Sequence, residues 1–139
     1  MNPLDDIGIS RISRALKDRF SSIRMDYQSE EEEVEIVRRR TTLDKSEIIE
    51  LAVAIARGTR KHPDVKLGSS VRGSIDMIDI YAKTMNGLGP SVSRYQLDDN
   101  LLLHSAMMSF RSKIWIYETS EKTPEEVIRE IFNKLQKKN

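Results

Sequence analysis

The sequence predicts a mainly α-helical bundle of about five helices, accompanied by one or two short strands. Three observations support this fold class. Apolar residues recur every three or four positions in several long stretches, which is the period of a helix with one buried face. Helix-capping sequences precede three of these stretches. Only residues 20–27 and 114–117 have the alternation or the composition of a strand.

The composition is that of one folded domain of ordinary size, since 38% of the 139 residues are hydrophobic and 32% are charged. A formal net charge of +1 gives no long-range attraction to nucleic acid or to an anionic membrane. The absence of cysteine excludes disulfides, thiolate catalysis and zinc sites with Cys ligands. The N-terminus has no apolar signal region, and no apolar run is long enough to span a bilayer, so we expect a cytoplasmic protein.

The chain begins with a loop and a short helix, followed by a predicted strand over residues 20–27. A single strand cannot satisfy its backbone hydrogen bonds alone. Its partner is either the β-prone stretch 114–117 or a sheet outside this chain. The stretch 114–117 is equally consistent with a buried extended segment.

A capping box of Ser29 and Glu32 starts the next helix, which we expect to end near Arg40. Its acidic residues 30–33 are interpreted as a first turn that complements the positive end of the helix dipole, and its terminal arginines suit the negative end. These arginines match a nucleic-acid patch poorly, because no aromatic residue is interleaved with them.

The strongest helix follows a second predicted capping box, from Asp44 to Glu47. It should stop at His62-Pro63, because proline disfavours helical geometry in the residue before it. A short link over residues 64–68 comes next. The residues that keep the spacing of a buried helix face are Ile48, Leu51, Ala52, Ile55, Ala56 and Thr59.

Three further helices complete the prediction. One runs from about Ser70 to the break that begins at Gly87. The next starts near Leu97 and carries Met108 on its inner side. The last begins at Thr123, an N-cap that is followed by proline at the first helical position and glutamate at the third.

Catalytic and metal-binding patterns are sparse. The six glycines include no phosphate-binding P-loop, and no local context selects a nucleophilic serine. His62 and His104 have no metal-ligand spacing around them, so we interpret them as a helix-end residue and a partly buried core residue, and we predict no metal site.

The main candidate for function is Arg72, in the first turn of a predicted helix. Unpaired backbone N–H groups and the positive end of the helix dipole favour an anion at such a position, and phosphate is the obvious candidate. From spacing alone, a solvated or salt-bridged arginine is the simpler interpretation.

Residues 58–72 read Gly-Thr-Arg-Lys-His-Pro-Asp-Val-Lys-Leu-Gly-Ser-Ser-Val-Arg, and they resemble the helical lid of the MoxR group of AAA+ ATPases. In that family, similar Thr-Arg-x-His-Pro-Asp and Leu-Gly-x-Ser-Pro-Arg sequences precede the lid's second-sensor helix. Weaker similarity covers most of the chain. Its segments are residues 1–3, 15–20 and 26–32 upstream, and residues 95–99, 109–111 and 123–127 downstream.

The resemblance implies that residues 1–27 are the end of an AAA+ ATPase core, with its first sensor, arginine finger and last strand, and that residues 28–139 are the helical lid. The short strands would then be left from that core. The intact parent would bind ATP and Mg²⁺ and hydrolyse ATP in an oligomeric ring, as a chaperone-like remodeller. This chain alone, which has no P-loop, is expected to be inactive.

The partners implied are the missing ATPase core, the neighbouring ring subunits and, often in this family, a von Willebrand factor A domain protein. Arg72 would contact nucleotide phosphate from the lid, and Arg19 would act as an arginine finger on a neighbour's nucleotide. Asn2 would hydrogen-bond the attacking water or the terminal phosphate. Outside the resemblance, Arg19 is equally consistent with a surface ion pair to Asp18, and Asn2 with a terminal residue that has no role.

Three features depart from the family. Val71 stands where proline is usual, Phe110-Arg111 replaces a His-Arg pair, and the connection between Glu33 and Asp44 is shorter than in many relatives. Two other classes of function therefore stay open. One is a stand-alone helical domain that binds a protein and no nucleotide. The other is a helical domain that binds nucleic acid, which the near-neutral net charge disfavours.

Overall fold

A computed structural model describes Arg19, Ile23 and residues 26–87 and 99–137. Over these residues the fold is a bundle of five helices with one two-stranded antiparallel sheet, which confirms the predicted mainly α-helical class. The strands are β1, Val65–Leu67, and β2, Trp115–Ile116. The helices are α1, Glu30–Arg40; α2, Ser46–Lys61; α3, Val71–Gly87; α4, Asp99–Phe110; and α5, Pro124–Gln136.

Three predicted features lie outside the described residues: the helix before residue 19, Asn2, and most of the strand predicted over residues 20–27. The three described residues of that strand, Ile23, Asp26 and Tyr27, belong to neither a helix nor a strand. Within the described ranges, no helix has the length and apolar character needed to cross a bilayer.

Capping boxes open α1 and α5, as the sequence predicts. The Ser29 hydroxyl accepts a hydrogen bond from the Glu32 backbone N–H at 3.2 Å, and the Ser29 N–H donates to the Glu32 carboxylate at 2.9 Å. Thr123 and Glu126 repeat the arrangement, with proline at the start of the helix. Each box satisfies two backbone donors that a helix N-terminus leaves unpaired, which fixes where the helix begins.

The capping box predicted at Asp44 is wrong. Helix α2 begins at Ser46, and its N-cap is Lys45, which makes no side-chain capping hydrogen bond. The Lys45 carbonyl accepts from the backbone N–H groups of Ile48 and Ile49. Asp44 therefore lies one residue before the position from which a side chain could cap the first turn. The end of the helix agrees with the prediction, with Lys61 last and His62 at the C-cap.

Helix α2 is the centre of the bundle and packs against α1, α3 and α5. Its predicted inner face is confirmed, because all six residues on it are buried or half-buried. Burying an isoleucine or leucine side chain stabilises a fold by about 1.5–3 kcal/mol, so this face is a major source of stability. The fully buried members are Ile48, Ala52, Ile55, Ala56 and Thr59.

Small polar residues let α3 approach its neighbours closely. The Ser74 hydroxyl donates to the Ala52 carbonyl of α2 at 2.9 Å, and the Ser109 hydroxyl of α4 donates to the Gly73 carbonyl at 2.6 Å. Both hydroxyls are buried, and each is satisfied by a carbonyl of the adjacent helix. These bonds fix the position of the N-terminal half of α3 between α2 and α4.

One residue predicted on the inner face of α4 lies outside that face. Met108, predicted to point inward, is 64% exposed, whereas Phe110 is fully buried. Each residue advances a helix by about 100°, so Met108 lies about 200° around α4 from Phe110. His104, interpreted as a partly buried core residue, is also exposed. The packing of Phe110 against α3 sets this face, and no local sequence signal reveals that contact.

The sheet forms between two segments about fifty residues apart, with Val65 opposite Ile116. The partner of β2 among the described residues is β1. A pairing of residues 114–117 with residues 20–27, one of the two alternatives above, involves mainly residues outside the described ranges. Strand β1 lies within the stretch 64–68 that the sequence presents as a link. A three-residue strand is too short to show an alternating pattern in the sequence.

Candidate functional site

Arg72 is the second residue of α3, and its side chain is exposed. In the part of the chain that the structure describes, no carboxylate lies within ion-pair distance of its guanidinium. The side chain therefore lies beside the positive end of the α3 dipole with its hydrogen-bond donors turned to solvent. A solvated arginine and an arginine that contacts an external anion both fit this placement.

The loop before α3 is anchored to the last turn of α2 by Thr59 and Ser69. The Thr59 hydroxyl accepts from the Ser69 backbone N–H at 2.9 Å and donates to the Ala56 carbonyl at 2.6 Å. Thr59 and Ser69 are both fully buried. One hydroxyl therefore pairs the buried Ser69 N–H and places its own proton on a helix carbonyl, so that neither donor is left unpaired in the interior.

Arg60 forms a second anchor for the same loop. Its Nε donates to the Ser69 carbonyl at 2.7 Å, and its guanidinium lies over the Tyr27 ring, 3.9 Å from the centroid. Its remaining donors bind the carboxylate of Glu33 at 2.7 and 3.2 Å. Arg60 thus connects the loop, α1 and the segment before α1.

Glu33 is a buried carboxylate, only 1% exposed. Its oxygens form ion pairs with the Arg60 guanidinium at 2.7 Å and with the Arg57 guanidinium at 3.1 Å. Residues 30–33 form the acidic first turn that the sequence predicts, but Glu33 also makes a buried ion pair that the sequence analysis did not anticipate. The sequence carried one usable signal: Glu33 is four residues from the buried Val37, so the two share a face of α1.

Two glycines occupy places where a side chain would collide with a neighbour. A Cβ atom on Gly68 would lie 2.7 Å from the Cα of Arg60. A Cβ atom on Gly73 would overlap the Phe110 ring and the Ser69 hydroxyl. The loop and the first turn of α3 are thus pressed against α2 and α4, which restricts where Arg72 can be presented.

His62 and Asp64 attach the start of β1 to α5 and to the turn before it. The Asp64 backbone N–H donates to His62 Nδ1 at 3.3 Å, and His62 Nε2 lies 3.3 Å from the Glu130 carboxylate. The Asp64 carboxylate accepts from the Ser120 hydroxyl at 3.0 Å and lies 3.3 Å from the Lys122 ammonium. Lys122 also binds Glu130 at 2.9 Å.

These contacts shift three pKa values. The Ser120 hydroxyl, and after it Lys122, lowers the pKa of the Asp64 carboxyl below its ordinary value. The Lys122 ammonium lowers the pKa of Glu130, and Glu130 in turn raises the pKa of Lys122. Asp64, Lys122 and Glu130 are therefore all charged near neutral pH.

No family model, curated protein or solved structure matches this chain. The assignment of roles therefore rests on the residues and their geometry. Arg19 lies in a turn and is exposed, and no contact within the described residues joins it to Arg72. Asn2 lies outside the described residues. Among the described side chains, no group of His, Asp and Glu could hold a metal ion.

Several of residues 58–72 thus have a structural task that the sequence did not reveal. Thr59, Arg60, His62 and Asp64 hold the loop in place, and Gly68 allows it to approach α2. Arg72 differs from them, because its charged group makes no such bond within the described part of the chain. The arrangement can present one cation at the N-terminus of a fixed helix.

Proposed function

We propose that this chain is the C-terminal lid of a MoxR-type AAA+ ATPase, and that Arg72 contacts the phosphates of a nucleotide bound by the missing core. The observation that carries the proposal is the placement of Arg72, exposed in the first turn of α3 at the end of a firmly anchored loop. The resemblance of residues 58–72 to the MoxR lid supplies the nucleotide as the anion.

The anchoring of the loop supports this proposal on physical grounds. An arginine whose side chain is only solvated by water does not require its backbone to be held in a fixed position. The first turn of α3 is nevertheless held by the buried hydroxyls of Ser74 and Ser109 and by the loop bonds to Thr59 and Arg60. A fixed backbone limits the volume that the guanidinium samples, which favours a defined contact with an external group.

The mechanism follows from the charge of a transferring phosphoryl group, for which catalysis is mostly positioning and electrostatic stabilisation. In the intact parent, the core would hold ATP and Mg²⁺, and Arg72 would couple the lid angle to the bound nucleotide. Arg19 would act on the nucleotide of a neighbouring subunit, and Asn2 on the attacking water or the terminal phosphate. The output would be chaperone-like remodelling of a partner protein in the cytoplasm.

A second candidate is a stand-alone helical domain that binds a protein and no nucleotide. The exposed aromatic residues around β2 favour it, because Trp115 is 42% exposed and Tyr117 is 46% exposed. Residues two apart in an extended segment point to the same side, so these two rings share one face. Exposed aromatic residues are enriched at protein interfaces.

The reading frame and the activity of its product separate the two candidates. The ATPase proposal expects a P-loop and an acidic magnesium motif encoded upstream in the same frame. It also expects ATP hydrolysis by the product of the whole frame and none by the 139-residue chain. An open reading frame that encodes no P-loop, or a full-length protein that neither binds nor hydrolyses ATP, would favour the protein-interaction domain.

A further inference from the structure

An open groove of about 1030 Å³ lies between α1 and α2 and is also lined by the start of α4 and the end of α5. Its floor is apolar and is formed by buried and half-buried side chains from four helices. These side chains are Val34 on α1, Ile48, Leu51 and Ala54 on α2, Leu102 on α4, and Leu135 on α5. The stretch of α1 that lines it, from Glu30 to Arg38, is about 12 Å long, which is slightly more than two helical turns.

The rim of the groove is strongly acidic. Six carboxylates and a single arginine, Arg38, line it, although the whole chain is nearly neutral. The carboxylates are those of Glu30, Glu31, Glu35, Glu47, Glu50 and Asp99. The groove is thus a local concentration of negative charge around an apolar floor.

Part of this charge has no counter-charge. Glu30 is paired with Arg57 at 3.3 Å, and Glu35 with Arg39 at 2.7 Å. Glu31 is hydrogen-bonded to the Ser29 side chain and is attracted by the charge of Arg57. Glu47 and Glu50, by contrast, make no ion pair with any residue that the structure describes. Both lie on α2, on the edge opposite α1. An occupant with positive charge on the flank that faces this edge would therefore meet carboxylates without a counter-charge.

We propose that this groove binds a basic amphipathic helix of a partner protein. The apolar floor suits side chains at i, i+3, i+4 and i+7 of a helix lying along it, and the acidic rim suits lysine and arginine on the flanks of that helix. The sign of the rim charge excludes nucleic acid and anionic membranes as occupants. This inference goes beyond nucleotide sensing and does not depend on it.

The test is a titration of the ¹⁵N-labelled chain with a 14-residue peptide that has leucine at helical spacing and lysine elsewhere. A scrambled peptide of the same composition, which cannot form an apolar face, is the control ligand. We expect saturable chemical-shift changes confined to α1, α2, the start of α4 and the end of α5 with the amphipathic peptide only. We also expect the affinity to fall as the salt concentration rises, since rim charges contribute to binding.

Two double variants distinguish binding in the groove from general electrostatic attraction between the chain and the peptide. Glu47→Lys with Glu50→Lys reverses the α2 rim and should weaken binding at least tenfold. Glu118→Lys with Glu121→Lys makes the same change in net charge at exposed positions outside the groove, and should change the affinity less than twofold. Ala54→Gln adds bulk to the floor without adding charge and should weaken binding as well, while the far-UV circular dichroism of every variant stays that of the wild type.

Several outcomes would overturn the proposal. Equal loss of affinity in the two double variants would mean that only net charge attracts the peptide. Equal binding of the scrambled peptide would show that no apolar face is recognised. No shift in the groove would mean that other residues of the chain already occupy it. Self-association that the Glu47 and Glu50 variant abolishes would identify a second copy of the chain as the occupant.

Discussion

At the scale of single residues, the burial of the Glu33 carboxylate depends on two arginines of the following helix. Its carboxylate is buried, and Arg57 and Arg60 reach it from successive turns of α2 at 3.1 and 2.7 Å. A buried charge without a partner is costly, because the interior solvates it poorly. The three residues therefore act as a unit that fixes α1 against the last turns of α2.

We predict that Glu33→Ala lowers the free energy of unfolding by about 2–3 kcal/mol, because it leaves two partly buried guanidinium groups without their carboxylate. Denaturation by urea measures the change. Glu35→Ala, on an exposed pair of the same helix, is the control and should cost much less. A loss at Glu33 no larger than that at Glu35 would show that the buried ion pair does not hold α1 in place.

Gly73 offers a second test at this scale. Gly73→Ala should lower the free energy of unfolding by about 1–3 kcal/mol, because the added Cβ overlaps the Phe110 ring and the Ser69 hydroxyl. Gly87→Ala is the matched control, since its Cβ would meet no described atom within 4 Å. Thermal unfolding compares the two variants. If Gly73→Ala were as stable as Gly87→Ala, the close approach of α3 to α4 would be incorrect.

At the scale of elements, the helix starts that the sequence located to the residue are those with capping boxes. Ser29 and Thr123 begin α1 and α5 because each hydroxyl pairs with a backbone N–H three residues on. Asp44 has the same kind of sequence after it but does not cap, because α2 starts later, at Ser46. The start of α2 is set by the burial of its apolar face, and that burial depends on contacts with residues remote in sequence.

The contrast between these caps gives a prediction for α5. Thr123→Ala should lower the free energy of unfolding by about 1 kcal/mol, because the first turn of α5 loses a hydroxyl acceptor. Asp44→Ala should have no measurable effect, because no side-chain cap is present at the start of α2. Urea denaturation of both variants checks this. A larger loss at Asp44 than at Thr123 would contradict the structure of both helix starts.

The contacts around β1 make stability depend on pH. The folded pKa values of Asp64 and Glu130 lie below their ordinary values, so these carboxylates add stability above the ordinary pKa range. That stability is lost as the pH falls through the folded pKa values. We predict a falling melting temperature below about pH 4.5, the ordinary pKa of a glutamate.

Lys122→Met should make this dependence on pH shallower, because the Lys122 ammonium lowers the pKa of both carboxyls. Lys134→Met, on an exposed residue of α5, is the control and should keep the wild-type slope. Melting temperatures measured from pH 7 to pH 3 give the comparison. Parallel curves for wild type and Lys122→Met would show that the network does not stabilise the fold.

The features that the sequence could not predict are contacts between distant segments. The pairing of β1 with β2 joins Val65 to Ile116 over two very short strands, so neither strand leaves a periodic pattern. Glu33 resembled the exposed glutamates beside it, because its burial depends on arginines 24 and 27 residues away. Arg72 could be located at a helix start from the sequence, but the anchoring of its loop could not.

At the scale of the whole molecule, an anchored framework carries two exposed candidate sites, Arg72 and the acidic groove. The α2 to α3 loop and β1 are tied to α1 and α5 by Arg60 and by the Asp64 network. Arg72 is presented at one place on this frame, and the acidic groove lies between α1 and α2. We propose that Arg72 contacts a nucleotide supplied by the ATPase core and that the acidic groove binds a partner helix.

The most direct test of the central claim is the rate of ATP hydrolysis by the intact parent protein carrying Arg72→Ala. Arg129→Ala, which removes an exposed arginine from α5, is the matched control. Our account predicts a fall in turnover of at least tenfold for Arg72→Ala, an unchanged melting temperature, and wild-type turnover for the control. Wild-type turnover with Arg72→Ala would contradict the claim that this arginine contacts the nucleotide.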